Sequence, residues 1–322
     1  MAPLRGVTVA TFRDVFVRHF GGLDRALAPF VPTVTGERIK PALLKDVAML
    51  SHGTMRVVPQ VIGKDPAQLA TMIHALRGIG HAQVNLNVGC PWKFVAKKGR
   101  GAGLLADADS LRRMLDAGCA ALPEGFSVKV RLGLADTDLL AQRIDLLNGY
   151  PLSEVIIHPR TAAQMYEGEV HLAAFAAVYG LLRAPVTYNG DLYTVVDFAA
   201  LRQHFPDISR WMLGRGVVAD PFLPSAIRAW EISGAAADSA TVEALKAFHD
   251  DLYARCTEEL FGPASILGRM KEIWGYLHER CEGGTELLRK IQRCHRTDDF
   301  ERIVAGWFAG TGRLAAVRPR IA

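Results

Sequence analysis

Residues 84–105 read VNLNVGCPWKFVAKKGRGAGLL. A strand-like run, Val84 to Val88, stops at Gly89, delivers Cys90 followed by Pro91, and opens into a loop crowded with lysine, arginine and glycine. Short β-branched, apolar runs of this kind recur, each followed by a helix-like segment: MAPL, ALAPFVP, VVPQVIG, AQVNLNVG, SVKVRLG, EVIIHP, PVTYNG and RWMLG. Amphipathic stretches lie between them at residues 65–77, 107–121, 136–147, 194–204 and 221–232, the first three opening with an aspartate suited to an N-cap. Strands buried on both faces and alternating with helices give a parallel sheet. Eight such units in about 230 residues predict an α/β fold of the (β/α)8 TIM-barrel type. A doubly wound sheet is the alternative.

Composition shifts after Ile232, where SGAAADSAT is small and polar enough to be a linker. Residues 241–260, 265–281, 285–294 and 297–308 each write as a helix, with the turns FGP and EGG between them, and predict a C-terminal helical bundle. The expected division is a barrel over residues 1–235 and a helical domain over 236–322.

The chain of 322 residues, 50% hydrophobic, holds enough apolar material for a substantial core. A net charge of +5 and a pI near 9.0 favour an anionic partner without identifying one. Five scattered cysteines (Cys90, Cys119, Cys256, Cys281, Cys294) form no C-x-x-C pair, so a reduced, intracellular chain without a metal site is expected. Arg5, Arg13 and Asp14 interrupt the N-terminus where a signal peptide would be apolar, and no later run suffices to span a bilayer. A cytoplasmic, non-membrane protein is expected.

In a barrel the residues that do chemistry stand where strands end. Here those are Gln60, Asn85, Asn87, Cys90, Lys129, Arg131, His158, Arg160, Asn189, Asp191 and Arg215: amides, cations and one thiol, with little clustered acid. Such a lining lacks the paired carboxylates of a glycosidase and the His/Asp set of a metal hydrolase, and suits a planar, hydrogen-bonding, phosphorylated cofactor. The last two strands end in NGDLY and GRGVV, where backbone N–H groups would hold a phosphate and Arg215 would add fixed charge. Either turn alone is equally well explained as a tight strand-to-helix connection. Lys129 points inward if Val128 and Val130 face the helices, and a buried lysine needs an anion or a structural ion pair. The spacing Gly99, Gly101, Gly103 is G-x-G-x-G in a basic loop, not a dinucleotide fingerprint. Arg289, Arg293 and Arg296, with Lys290 beside them, fall at helical spacings and would form a phosphate stripe. Glu282 and Glu286 one turn earlier fit a solvated face as well.

In order along the chain, MAPLRGVT, PQVIG, VNLNVGCP followed by KKGRGAGLL, SVKVRLG, IIHPRT, YNGD and LGRG resemble the dihydrouridine synthase (Dus) family of flavin-dependent tRNA-modifying reductases. The tail segments RMKEIWGYL and GTELLRKIQRC resemble that family's helical domain, in particular its DusC branch. The resemblance implies FMN as cofactor, NADPH as reductant, tRNA as partner, and reduction of a D-loop uridine, at position 16 for the DusC branch, to 5,6-dihydrouridine by a monomer. It implies that Pro3 and Leu4 line the flavin, that Gln60 and Asn87 hydrogen-bond its ring, and that Lys129 sits by the pyrimidine end. His158 would contact the phosphate or ring edge, and Asn189, Gly190, Asp191, Gly214 and Arg215 would hold the ribityl phosphate. Cys90 would give a proton to uracil C5 while the flavin gives hydride to C6. Lys97, Lys98 and Arg100 would touch the RNA backbone, with the glycines letting their loop move. The chain departs from the family pattern at Leu4 (usually Met), Val9 (usually acidic or amide) and Pro159 (usually Gly). A flavin barrel acting on a small molecule and a non-catalytic RNA-binding relative are the rival readings.

Overall fold

The computed structural model describes residues 1–36, 38–235, 240–310 and 312–321. Among the described residues ten strands form: β1 (Arg25–Leu27), β2 (Val31–Pro32), β3 (Ser51–His52), β4 (Met55–Val58), β5 (Gln60–Ile62), β6 (Val84–Val88), β7 (Phe126–Gly133), β8 (Glu154–Thr161), β9 (Val186–Tyr188) and β10 (Arg210–Trp211). The helices of the first part are α1 (Ala10–His19), α2 (Pro66–Gly78), α3 (Lys93–Ala96), α4 (Ala102–Ala106), α5 (Ala108–Ala121), α6 (Ile144–Asn148), α7 (Leu172–Tyr179), α8 (Val195–His204), α9 (Arg215–Ala219) and α10 (Leu223–Ser233). Every residue of β6 and β8 is buried, as strands covered on both faces require.

Seven strands pair in parallel in the order β10-β9-β8-β7-β6-β5-β2, and a second sheet has the order β1-β4-β3. The main sheet follows the sequence without doubling back, whereas a doubly wound sheet reverses near its middle. β1 with β2, and β4 with β5, are two predicted strands each broken once, the second at Pro59. The breaks stay bonded: Ala28 donates to the Val58 carbonyl at 2.9 Å and Asn85 to the Pro59 carbonyl at 2.9 Å. MAPL is not a regular strand, since Pro3 has no N–H to continue a ladder. Its first two residues nevertheless join the sheet edges, Ala2 donating to the Leu213 carbonyl at 2.7 Å and Leu27 to the Met1 carbonyl at 3.0 Å.

Asp65 and Asp107 cap α2 and α5 as expected, accepting from the amides of Gln68 and Ser110. The third aspartate does not begin a helix. Asp136 accepts from Asp138 in a turn, and residues 141–143 form a single 3-10 turn before the short α6. α8 begins with a full capping box between Thr194 and Asp197.

The tail holds α11 (Val242–Glu259), α12 (Pro263–Leu277), α13 (Gly284–Gln292) and α14 (Thr297–Ala309), with Gly262 and Gly283 at positive φ in the FGP and EGG turns. Residues 236–239 of the predicted linker, at the proposed boundary, lie outside the described residues. α11 packs on α1, where Phe248 meets Phe12, Phe16 and Phe20 at ring distances of 5.8, 6.5 and 5.1 Å. One contiguous apolar core runs from Met1 to Trp307.

The arginine row is not a stripe on one helix. α13 ends at Gln292, where Lys271 Nζ takes up the carbonyls of Gln292 and Cys294, and Arg293 stands at its C-cap and Arg296 at the N-cap of α14. Arg289 is clamped by Glu286, Lys290 lies 4.0 Å from the same carboxylate, and Arg296 pairs with Asp298 at 2.9 Å.

Candidate active site

A cavity of about 290 Å³ opens at the C-terminal ends of the main-sheet strands. Cys90, Pro3, Leu4, Gln60, Asn87, Lys129, His158, Asn189, Gly190, Asp191, Gly214 and Arg215 all line it, so one site gathers every predicted catalytic and cofactor-binding residue. Lys97, Lys98 and Arg100 are not among its lining; they stand on the loop behind Cys90, the two lysines exposed.

The floor is a ladder of buried amides. Asn87 Nδ2 donates to Gln60 Oε1 at 2.8 Å, Gln60 Nε2 to Asn85 Oδ1 at 2.8 Å, and Asn85 Nδ2 to the Ser127 hydroxyl at 2.9 Å. Asn87 Oδ1 also accepts from the Gly89 and Cys90 amides, at 3.1 and 2.8 Å, which ties the turn carrying the thiol to the end of β6. Gly101 completes that turn. It lies at φ +56°, and a Cβ there would stand 2.8 Å from the Cys90 Cβ, while one on Gly103 would reach 2.1 Å from the Ala96 carbonyl oxygen. Gly101 thus permits close packing of the loop against Cys90, and Gly103 against Ala96.

Burial pushes the Cys90 thiol above its ordinary pKa, outweighing the Trp92 backbone and the cations of Arg131, Arg5 and Lys129 that pull the other way. The group is held as a thiol, an acid rather than a nucleophile. Lys129 stands between the fully buried Val128 and Val130 and is partly open to the cavity. Burial first and Arg131 second lower its pKa to about 7. No carboxylate pairs with it among the described residues, so the structural ion pair is not what holds it there.

His158 is held well below its ordinary pKa by burial and by Arg131, Lys129, Arg160 and Arg215. Arg160 Nη1 stands 3.3 Å from His158 Nε2 and can only donate, so the neutral ring accepts there and carries its proton on Nδ1. Asp191, at φ +34°, is the one carboxylate among the described lining residues, and two guanidiniums consume it: Arg160 at 2.9 Å and Arg215 at 2.7 Å. Pro159 interrupts β8 where β8 carries one residue more than β7, between the pairs Arg131–His158 and Gly133–Thr161. A missing N–H is tolerated at such a bulge, which turns Arg160 toward Asp191.

Tyr166 is a lining residue that sequence reading missed. Its ring lies 5.2 Å from the Arg131 guanidinium and 5.5 Å from that of Arg215, and its carbonyl accepts from Arg215 at 3.0 Å. A lone tyrosine in the loop after a strand carries no pattern that would have marked it. Arg5, Trp92 and Phe94 at the mouth were missed for the same reason.

The sequence pattern of the dihydrouridine synthase (Dus) family matches residues 1–305. The chain belongs to the dihydrouridine synthase family. It is therefore an enzyme of that oxidoreductase family, and its relatives agree with a DusC-type member. A tRNA-dihydrouridine(16) synthase of Ralstonia nicotianae is 30% identical over 98% of this chain and 98% of its own length. One of Cupriavidus necator is 30% identical over 95% of this chain and 96% of its own. Among solved structures, morphinone reductase superposes with a TM-score of 0.52 at 13% identity, covering 76% of this chain and 87% of that one. That likeness concerns fold alone, and it fits the parallel sheet core of this Dus protein. Among the described residues no helix is long and apolar enough to cross a membrane, and no group of three His, Cys, Asp or Glu side chains is placed to hold a metal ion.

Proposed function

We propose that this chain reduces a uridine of the tRNA D-loop, at position 16, to 5,6-dihydrouridine in the cytoplasm, with FMN as cofactor and NADPH as reductant. The single observation that carries the reading is a buried thiol beside a cavity whose cations exceed its carboxylates: Arg5, Lys129, Arg131 and Arg215 against Asp191 alone. Such a donor set fits a phosphorylated, hydrogen-bonding ring that gains negative charge. In this reading residues 1–2 close the strands into an eight-stranded barrel over residues 1–235, the site lies at its mouth, and residues 236–322 hold the RNA.

FMN, when bound, would supply hydride to uracil C6. Gln60 and Asn87 would turn their amide edges to its ring, Pro3 and Leu4 would pack beside it, and Lys129 would place a cation at its pyrimidine end. The amides of Arg215 and Gly216, in the first turn of α9, have no acceptor within the helix and would meet the phosphate with Asn189, Gly190 and Gly214. Asp191 orients Arg215 toward the phosphate through its ion pair. His158, neutral, would donate from Nδ1 without adding charge. Cys90 would pass its proton to C5, and the resulting thiolate, stabilised by Arg131, Arg5 and Lys129, would recover a proton from solvent.

Cys90→Ala tests the assignment. Flavin reduction by NADPH should proceed at the wild-type rate while dihydrouridine formation falls at least 100-fold, the upper range of effect being about 10⁴ for a general acid. Wild-type dihydrouridine formation by that variant would remove Cys90 from the role.

A further inference from the structure

Trp92 and Phe94 are 56% and 80% exposed, yet both reach the mouth of the Cys90 cavity. Large apolar side chains left in water beside a catalytic cavity mark a surface that meets a partner. The partner's chemistry follows from their neighbours. Lys93, Lys97 and Lys98 are exposed on the same loop, and Lys64 approaches Gly99 within it, its Cδ 3.7 Å from where a Cβ would stand. Residues 84–106 contain no aspartate or glutamate, and none of these four lysines has an ion pair among the described residues. Uncompensated cations interleaved with exposed aromatic rings suit single-stranded nucleic acid: the cations follow phosphates, and each ring offers a face on which a base stacks whatever its identity.

Resting on the dihydrouridine synthase reading above, we propose that Trp92 and Phe94 stack the unpaired bases next to the target uridine, holding the D-loop open while that uridine enters the cavity. An extruded nucleotide leaves its neighbours without stacking partners, and rings at the cavity rim replace what they lose. Trp92 precedes and Phe94 lies within α3, whose Ala96 packs against Gly103 of α4, and the Ala102 amide of α4 donates to the Cys90 carbonyl at 3.1 Å, so the backbone that carries both rings is held close to the thiol. The pair acts by positioning, and the reacting atoms meet Cys90.

The experiment compares the wild-type protein, Trp92→Ala, Phe94→Ala, the conservative Trp92→Phe, and a Lys93→Gln/Lys97→Gln/Lys98→Gln variant. Each is titrated with tRNA, with a uridine-rich single-stranded RNA oligomer and with a double-stranded RNA of equal length, across a range of salt. Each alanine variant should bind tRNA and the single strand about 5- to 150-fold more weakly. Duplex binding, the slope of log affinity against log salt, and the KM for NADPH should not change, and Trp92→Phe should restore most of the loss. The triple glutamine variant should do the opposite, flattening the salt slope. Unchanged single-strand affinity in both alanine variants overturns the proposal, as does a loss confined to the KM for NADPH, which would give the rings to the reductant. If the wild-type protein forms no dihydrouridine in any tRNA, the functional reading fails, and the oligomer titrations still decide whether the rings stack bases.

Discussion

Lys129 shows how much a single side chain reveals about what is missing from its surroundings. With its pKa at about 7 it is only half protonated near neutral pH, because burial and Arg131 oppose its charge and no carboxylate among the described residues pairs with it. An anionic ligand would raise that pKa, so binding takes up a proton wherever the free protein has lost it. At the pyrimidine end negative charge gathers only on reduction, so affinity for reduced FMN, relative to oxidised FMN, should be highest below pH 7 and weaken as the pH rises from about 7 toward 9, by up to tenfold for each unit of pKa gained. Anaerobic titration of the flavin-free protein with reduced and with oxidised FMN would measure this, and Lys129→Met should abolish most of the difference in slope while weakening binding of the reduced form at pH 6. A flat profile in the wild-type protein would mean that Lys129 does not face the anion. The composition of the strand ends was enough to find this residue. The same composition gave no sign of Tyr166, because its role is to lie under Arg131 and Arg215, a relation between three segments that no local spacing encodes.

At the scale of elements, the helix starts were legible where a side chain caps its own helix and hidden where the cap comes from elsewhere. Asp65, Asp107 and Thr194 each precede their helix by one residue. Val9 offers no cap to α1, and Asp46 supplies one from 36 residues downstream by accepting the Ala10 amide, which offsets the departure at that position. Asp197 does more than close the capping box: it is fully buried and accepts from the amides of Tyr193, Thr194, Arg320 and Ile321. Replacing it with alanine would orphan four donors at once. Asp197→Ala should lose about 2–4 kcal/mol in urea unfolding, and a cost below about 1 kcal/mol would show that water replaces it. The arginine row was misjudged for a related reason. Spacing placed four cations on one helix, but the helix stops early and, among the described residues, acids pair with all of them except Arg293. Arg293→Gln should then reduce the salt slope of tRNA binding by up to about one unit, and Arg289→Gln, which frees Glu286, should change it less. Equal effects would restore the continuous stripe.

For the molecule as a whole, the parallel core was legible because strands covered on both faces are apolar throughout, and the tail helices because two of the three turns between them carry glycine. What the sequence did not disclose is that the tail is bound to the first helix. Phe248 sits among Phe12, Phe16 and Phe20, and Asp251 pairs with Arg18 and His19. Phe248→Ala should cost about 3–5 kcal/mol, and tail helicity and flavin retention should be lost together in one transition followed by circular dichroism and flavin fluorescence. Two separated transitions would show that the parts stand alone. The same contact sets an order of events in the cell. His19 is joined 232 residues before Asp251, and at synthesis speeds of roughly 5–20 residues per second that interval lasts on the order of tens of seconds. Throughout it α1 has been made and its Phe248 cover has not, so the growing chain carries Phe12 and Phe16 without that partner until about three quarters of the 322 residues have been joined.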